Sequence, residues 1–156
     1  MSGKKPAATS KAATIKLASL RVSDQSEEAG TWVDLPDVPG AAVLVRSLDY
    51  PPYTLARTVL FQRFSRLYGR KPAPQNEIVP AIGKLYAEHI LLGWKGFDVE
   101  FSPEEAMLRL SDWTWRKLTT MVEWAAGTLS EAQVEFVEDA TKNSAPPSAG
   151  SSSEKA

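Results

Sequence analysis

The spacing of apolar residues changes along this chain, first close to two and then close to 3.6, the strand and helix periods. In Thr31–Leu35, Trp32 and Asp34 alternate with Val33 and Leu35, and Ala41–Leu48 is rich in aliphatic residues. Pro36, Pro39 and Gly40 lie between the two runs. This predicts a β-hairpin whose loop is longer than a tight turn. From Pro52 onward Arg57, Leu60, Phe61, Phe64, Leu67 and Tyr68 share one helical face, and Gly69 is the expected stop. A second helix is predicted from about Glu77 to Leu92, with Ile78, Ile82, Leu85, Tyr86, His89 and Leu92 on its apolar face and Pro80 in its first turn. Gly93–Phe101 reads as a glycine- and aromatic-rich connection. Ser102, Pro103 and Glu105 then form a capping box that opens a third helix. Asp112 caps a fourth, from about Trp113 to Ala126 with Gly127 ending it, and Ser130 caps a fifth over 131–142. The fold class expected is mainly α, about five helices with a small N-terminal β-hairpin.

Composition changes sharply at both ends. Residues 1–22 carry Lys4, Lys5, Lys11, Lys16 and Arg21 without an acid, and residues 1–29 are read as a flexible basic N-terminal arm. Within it, residues 14–22 alternate weakly enough to serve as an edge strand. Residues 144–156, SAPPSAGSSSEKA, hold no large apolar side chain and are read as a disordered Ser/Pro-rich tail. The helical domain with its hairpin is expected over 30–143.

The chain has no Cys and a single His, which removes thiolate chemistry, Cys-ligated zinc and multi-His metal sites. No glycine-rich phosphate loop or nucleophile elbow is present. His89 falls on an apolar helix face and is read as structural. The neighbouring acids Glu104 and Glu105, like Glu138 and Asp139, diverge by about 100° around a helix and are not aimed at one substrate. No enzyme activity and no cofactor are therefore expected. With a net charge of −1, a wholly basic nucleic-acid coat is also disfavoured. No apolar run reaches the roughly 18 residues of a membrane span, so a soluble protein is expected.

Two surface patterns remain. Residues 57–71 carry Arg57, Arg63, Arg66, Arg70 and Lys71 and no acid, whereas 98–139 holds ten acids against three cations. A basic helix of this kind either touches phosphate or pairs with the acidic part, within one copy or between copies. Of five tryptophans, four fall between 94 and 124. On the fourth helix Leu118, Val122, Ala125 and Leu129 make one stripe, and Trp113, Lys117, Thr120 and Trp124 make another roughly opposite. Such a helix is sandwiched, or it offers its tryptophans to a partner. Trp115 lies toward the first stripe and is expected in the core.

The order of segments resembles a known family. A hairpin with T-W-V-D-L-P-D-V-P-G and V-L-V-R-S-L-D-Y-P-P-Y precedes an Arg-rich helix. A-E-H-I-L-L-G-W-K-G-F, F-S-P-E-E-A-M-L-R-L, V-E-W-A-A and F-V-E-D-A-T-K-N-S follow. Over roughly residues 28–144 this is similar to the tail assembly chaperones of long-tailed bacteriophages and prophages. Members often carry a longer polar insertion where this chain has only Asp98, Val99 and Glu100. The resemblance implies a non-enzymatic factor in the host cell cytoplasm. It would bind the tape-measure protein, keep it soluble during tail tube assembly, meet the tail tube protein and self-associate. The partner-binding residues it suggests are Trp94, Phe97, Trp113 and Trp124 with Arg57, Arg63 and Arg66. The rival readings are a virion component, such as a tail-tube or head–tail connector subunit, and a nucleic-acid-binding protein using the basic arm and the 57–71 helix.

Neither 1–13 nor 144–156 has apolar area to bury, so deleting both is expected to leave the melting temperature nearly unchanged. A fall of more than about 5 °C, on the order of 1 kcal/mol, would show that an end docks on the core.

Overall fold

The computed structural model describes residues 13–131 and 134–137. Val22–Glu131 forms one compact unit, and residues 13–21 and 134–137 belong to a second. In the larger unit helix α1 (Asp24–Ala29) leads into strands β1 (Thr31–Asp34) and β2 (Ala42–Val45), which pair antiparallel with Thr31 opposite Val45. Helices α2 (Pro51–Tyr68) and α3 (Gln75–Leu85) follow. A π turn, Tyr86–Ile90, passes the chain into strand β3 (Leu91–Lys95). Helix α4 (Pro103–Leu110), a 3-10 turn (Trp113–Trp115) and helix α5 (Arg116–Ser130) complete it. Five α-helices and three strands are thus formed among the described residues.

The hairpin is present, but it is two-thirds of a sheet. Strand β3 pairs antiparallel with β2, giving the order β1-β2-β3. Sequence periodicity carried the second helix to Leu92. The α-helix instead ends at Leu85, and the Leu91 N–H reaches back five residues to the Tyr86 carbonyl. That wider turn redirects the chain, so Leu91 and Trp94 pack as strand residues. Leu92 is the extra residue of a bulge, because Gly93 pairs with Leu44 while Leu91 pairs with Val45. Helix α3 also starts two residues earlier than expected. Pro80 consequently lies beyond the first turn and removes the usual backbone donor to Asn76.

Val43, Val45, Ile90, Leu110, Val122 and Ala125 are fully buried and form the centre of the core with Tyr86. Helix α5 covers β2 with Thr119, Val122, Ala125 and Ala126. Helix α2 turns Tyr53, Leu60 and Phe64 inward, whereas Arg57 and Leu67, expected on that face, are exposed. Gly83 is where α3 meets α4, since a Cβ there would stand 1.9 Å from the Leu110 carbonyl oxygen. Any side chain at this position forces the two backbones apart.

Helix α1 corrects the expected extent of the arm. It has no buried residue, so the hydrophobic pattern gave no sign of it. It is held by polar bonds instead. The Glu28 carboxylate accepts from the Tyr50 hydroxyl at 3.0 and 3.1 Å and from Arg46 Nη2 at 3.0 Å. Arg46 also donates to the carbonyls of Glu28 at 2.8 Å and His89 at 3.0 Å.

Two further expectations change. Helix α5 runs through Gly127 to Ser130, where a stop was expected. The predicted fifth helix over 131–142 is contradicted at 134–137, which form no helix and hold one β-bridge at Phe136, and its remainder lies largely outside the described residues. In the second unit Ile15 bridges Phe136 antiparallel, with Lys16 N–H donating to the Glu135 carbonyl and Val137 N–H to the Thr14 carbonyl, each at 2.7 Å. The edge strand expected over 14–22 amounts to that one bridge, because Leu17–Leu20 forms a 3-10 turn. Residues 1–12 and 144–156 lie outside the described residues.

Tyr53 and Tyr86 meet in the core with ring centroids 5.6 Å apart. Burial raises both above the ordinary tyrosine value of 10.0, and for Tyr86 the neighbouring Tyr53 and Glu123 add to the rise. Below about pH 10 folded and unfolded chains hold both protons, and the stability is complete. Above it the unfolded chain loses protons that the folded one keeps, so stability falls as pH rises. Melting curves from neutrality into the alkaline range should show this loss. Tyr86→Phe keeps the ring packing and should flatten the alkaline fall. An equally steep fall in the variant would exclude Tyr86 as its source.

Candidate partner-binding surface

Strand β3 and the loop after it place the first group of aromatic residues. Trp94 is 9% exposed, and its indole N–H donates to the Val99 carbonyl at 2.7 Å. Its ring meets Phe101 and Phe97 edge-on, at 5.1 and 6.1 Å between centroids. Gly96, at φ +89°, makes this loop possible, since any Cβ there would lie 2.2 Å from the Gly40 carbonyl oxygen. Trp94 is therefore consumed in holding the loop, and it is corrected from partner contact to internal anchor. Phe97 remains 38% exposed.

Between this loop and helix α5 lies a cavity of about 100 Å³, lined by Trp94, Phe97, Val99, Arg109, Trp115 and Leu118 among others. Trp115 is 43% exposed, which overturns its expected place in the core. The reason is local. The segment Trp113–Trp115 is a 3-10 turn, not the first turn of an α-helix, so the helical wheel that put Trp115 beside Leu118 does not extend to it. The Arg109 guanidinium covers the Trp115 ring at 5.0 Å from the centroid and is paired with Glu105. Arg116 covers the half-buried Trp113 ring at 4.5 Å.

The second expected stripe of α5 does face outward. Lys117, Thr120 and Trp124 are exposed, Trp124 at 46%, opposite the buried Val122 and Ala125. Trp124 forms a separate hollow of about 210 Å³ with Leu35, Pro36, Asp37, Thr120 and Met121. Besides Trp32 on the sheet and Phe136 in the second unit, the exposed aromatic side chains are Phe97 and Trp115 at one hollow and Trp124 at another, with α5 contributing to both.

The arginines sit elsewhere. Arg63 and Arg66 line a groove between α2 and α3, while Arg57 lies over the Phe61 ring at 4.5 Å. Pairing of the basic helix with the acidic half of the same copy was one expectation. The three ion pairs recorded among the described residues are Lys16–Glu135, Arg46–Glu28 and Arg109–Glu105, and none of them joins 57–71 to 98–139. Leu55 and Val59, four apart and exposed at 69% and 55%, line the same groove. Sequence reasoning passed over them, although their spacing was visible beside the predicted core face.

Comparison with protein-family models, curated proteins and solved structures finds no match to this chain. Among the described residues no helix is long and apolar enough to cross a membrane.

Trp124 keeps 46% of its surface in water, so Trp124→Ala is expected to cost less than a buried tryptophan would, about 1 kcal/mol of stability. Trp94→Ala opens the core and breaks a hydrogen bond, and should cost about 3–5 kcal/mol. Thermal melts of the two variants decide this, and an equal loss at both positions would mean that Trp124 is packed as tightly as Trp94.

Proposed function

We propose that this protein is a phage tail assembly chaperone, a binding protein without catalytic activity that holds the tape-measure protein soluble in the host cytoplasm while the tail tube forms. The observation that carries the reading is the two-sided character of α5. One side is buried by Val122 and Ala125, while the other presents Trp124 beside an apolar hollow, with Trp115 and Phe97 at the next. A long helical client exposes apolar stripes before it is enclosed. Rigid aromatic side chains cover such stripes at low entropic cost, which suits a transient holder. The segment order from the hairpin to S-P-E-E-A supports the same family. In this reading the tail tube protein is a second partner, copies of the chain associate, and nucleic acid is not a ligand.

Co-expression with the tape-measure protein should raise that protein's soluble yield and give a complex on gel filtration. Trp115→Ala combined with Trp124→Ala should keep the fold and lose the complex. Unchanged solubility with no complex, or the protein at fixed copy number in purified particles, would count for a virion component instead.

A further inference from the structure

The groove between α2 and α3 is separate from the aromatic hollows, and its occupant need not be their client. Its volume is about 520 Å³. From α2 it takes Leu55, Val59, Arg63 and Arg66, from α3 it takes Lys84 and Leu85, and from the π turn Glu88 and His89. The α2 positions that line it, from Pro52 to Arg66, recur in steps of three and one, a helical spacing, so they form one stripe along the helix. At 1.5 Å per residue that stripe is about 21 Å long. Leu55 and Val59 leave most of their surface in water, which is unfavourable unless something covers it.

Charge selects the occupant. Arg63, Arg66 and Lys84 stand along the groove, none of them in the ion pairs recorded among the described residues, and Glu88 is the single acid lining it. The connection between α2 and α3 spans only residues 69–74, so the two helices run as antiparallel neighbours. The arginines therefore gather toward the end of the groove near that connection, and Glu88 and His89 toward the other. A phosphate backbone would meet the cations but leave Leu55 and Val59 uncovered.

We propose that this groove binds an amphipathic α-helix of a partner protein, about 14 residues long, with aliphatic side chains at i, i+3, i+4 and i+7 and carboxylates clustered toward one end. The aliphatic side chains lie on Leu55, Val59 and Leu85, and the carboxylates meet Arg63 and Arg66.

The test uses the full chain and two synthetic helical peptides with leucines at that spacing, one with glutamates clustered at an end and one with lysines in their place. Fluorescence anisotropy at low salt should show the glutamate peptide binding with a dissociation constant on the order of 10 μM, and the lysine peptide at least about tenfold more weakly. Arg63→Glu with Arg66→Glu should reverse the preference. Leu55→Glu with Val59→Glu should abolish binding of both peptides. All four side chains are exposed, so circular dichroism and melting temperature should hold in both variants, and binding of the tape-measure protein through Trp115 and Trp124 should persist. Equal affinity for the two peptides, no binding of either, or binding that survives both double variants overturns the proposal. So does a dimer in light scattering that Leu55→Glu with Val59→Glu dissolves, which assigns the groove to a second copy. Tighter binding of a short DNA duplex, lost on Arg63→Glu with Arg66→Glu, overturns it in favour of nucleic acid.

Discussion

The turn Tyr86–Ile90 is the element on which the rest of the unit rests. It packs against α2, α3, α4, α5 and β3. Its two inward side chains, Tyr86 and Ile90, are almost wholly removed from water. A regular α-helix continued through these residues would carry the chain past the sheet. The wider turn instead delivers Leu91 opposite Val45, so that β3 can close on β2. It also brings the Tyr86 ring to Tyr53 on α2 and leaves the His89 carbonyl facing Arg46. One local departure from helical geometry thus connects every layer. Such turns occur as single-turn interruptions of helices, because packing has to offset their poorer hydrogen bonding.

Arg46 extends that connection to the start of the unit. Its guanidinium reaches the Glu28 side chain and backbone and the His89 backbone, and it lies over the Tyr50 ring at 4.4 Å. Bonds of this type gain strength from their charge and partial burial. They hold a short polar helix that offers no apolar stripe of its own. On the sheet Trp32 stays 45% exposed. The Trp32 ring lies across Gly93, where a side chain would meet it, and under the Lys95 ammonium at 4.4 Å.

The surfaces left over are unequal in kind. The aromatic hollows beside α5 are small and bounded by rigid rings, suited to single apolar side chains. The groove between α2 and α3 is longer, aliphatic and bordered by cations. Each of these surfaces can be altered without touching the core.

Much of this was legible in the residues alone. The hairpin followed from alternation around Pro36–Gly40, α2 from its period and Gly69, and α4 from Ser102, whose hydroxyl accepts the Glu105 N–H at 3.0 Å as a capping box requires. The separation of Lys117, Thr120 and Trp124 from Val122 and Ala125 followed from the helical angle, while their exposure was left open between a sandwiched and an outward stripe. These features depend on local propensity and on a period counted within one element. Tertiary structure decided the rest. Ile90-Leu91-Leu92 is a short apolar run compatible with helix or strand, and only the open edge of β2 made it a strand. Trp94 and Trp115 are the same residue type in neighbouring segments. One was buried because Val99 and Phe101 fold back on it, and the other was left at the surface by a 3-10 turn. The groove needed α2 and α3 side by side, and the position of α3 was set by Gly83 against the Leu110 carbonyl. The sequence alone determined the hairpin and the cores of α2 to α5, and which of their faces are apolar. Which of those faces are covered was decided by contacts between distant segments, because burial is a property of the neighbour as much as of the residue.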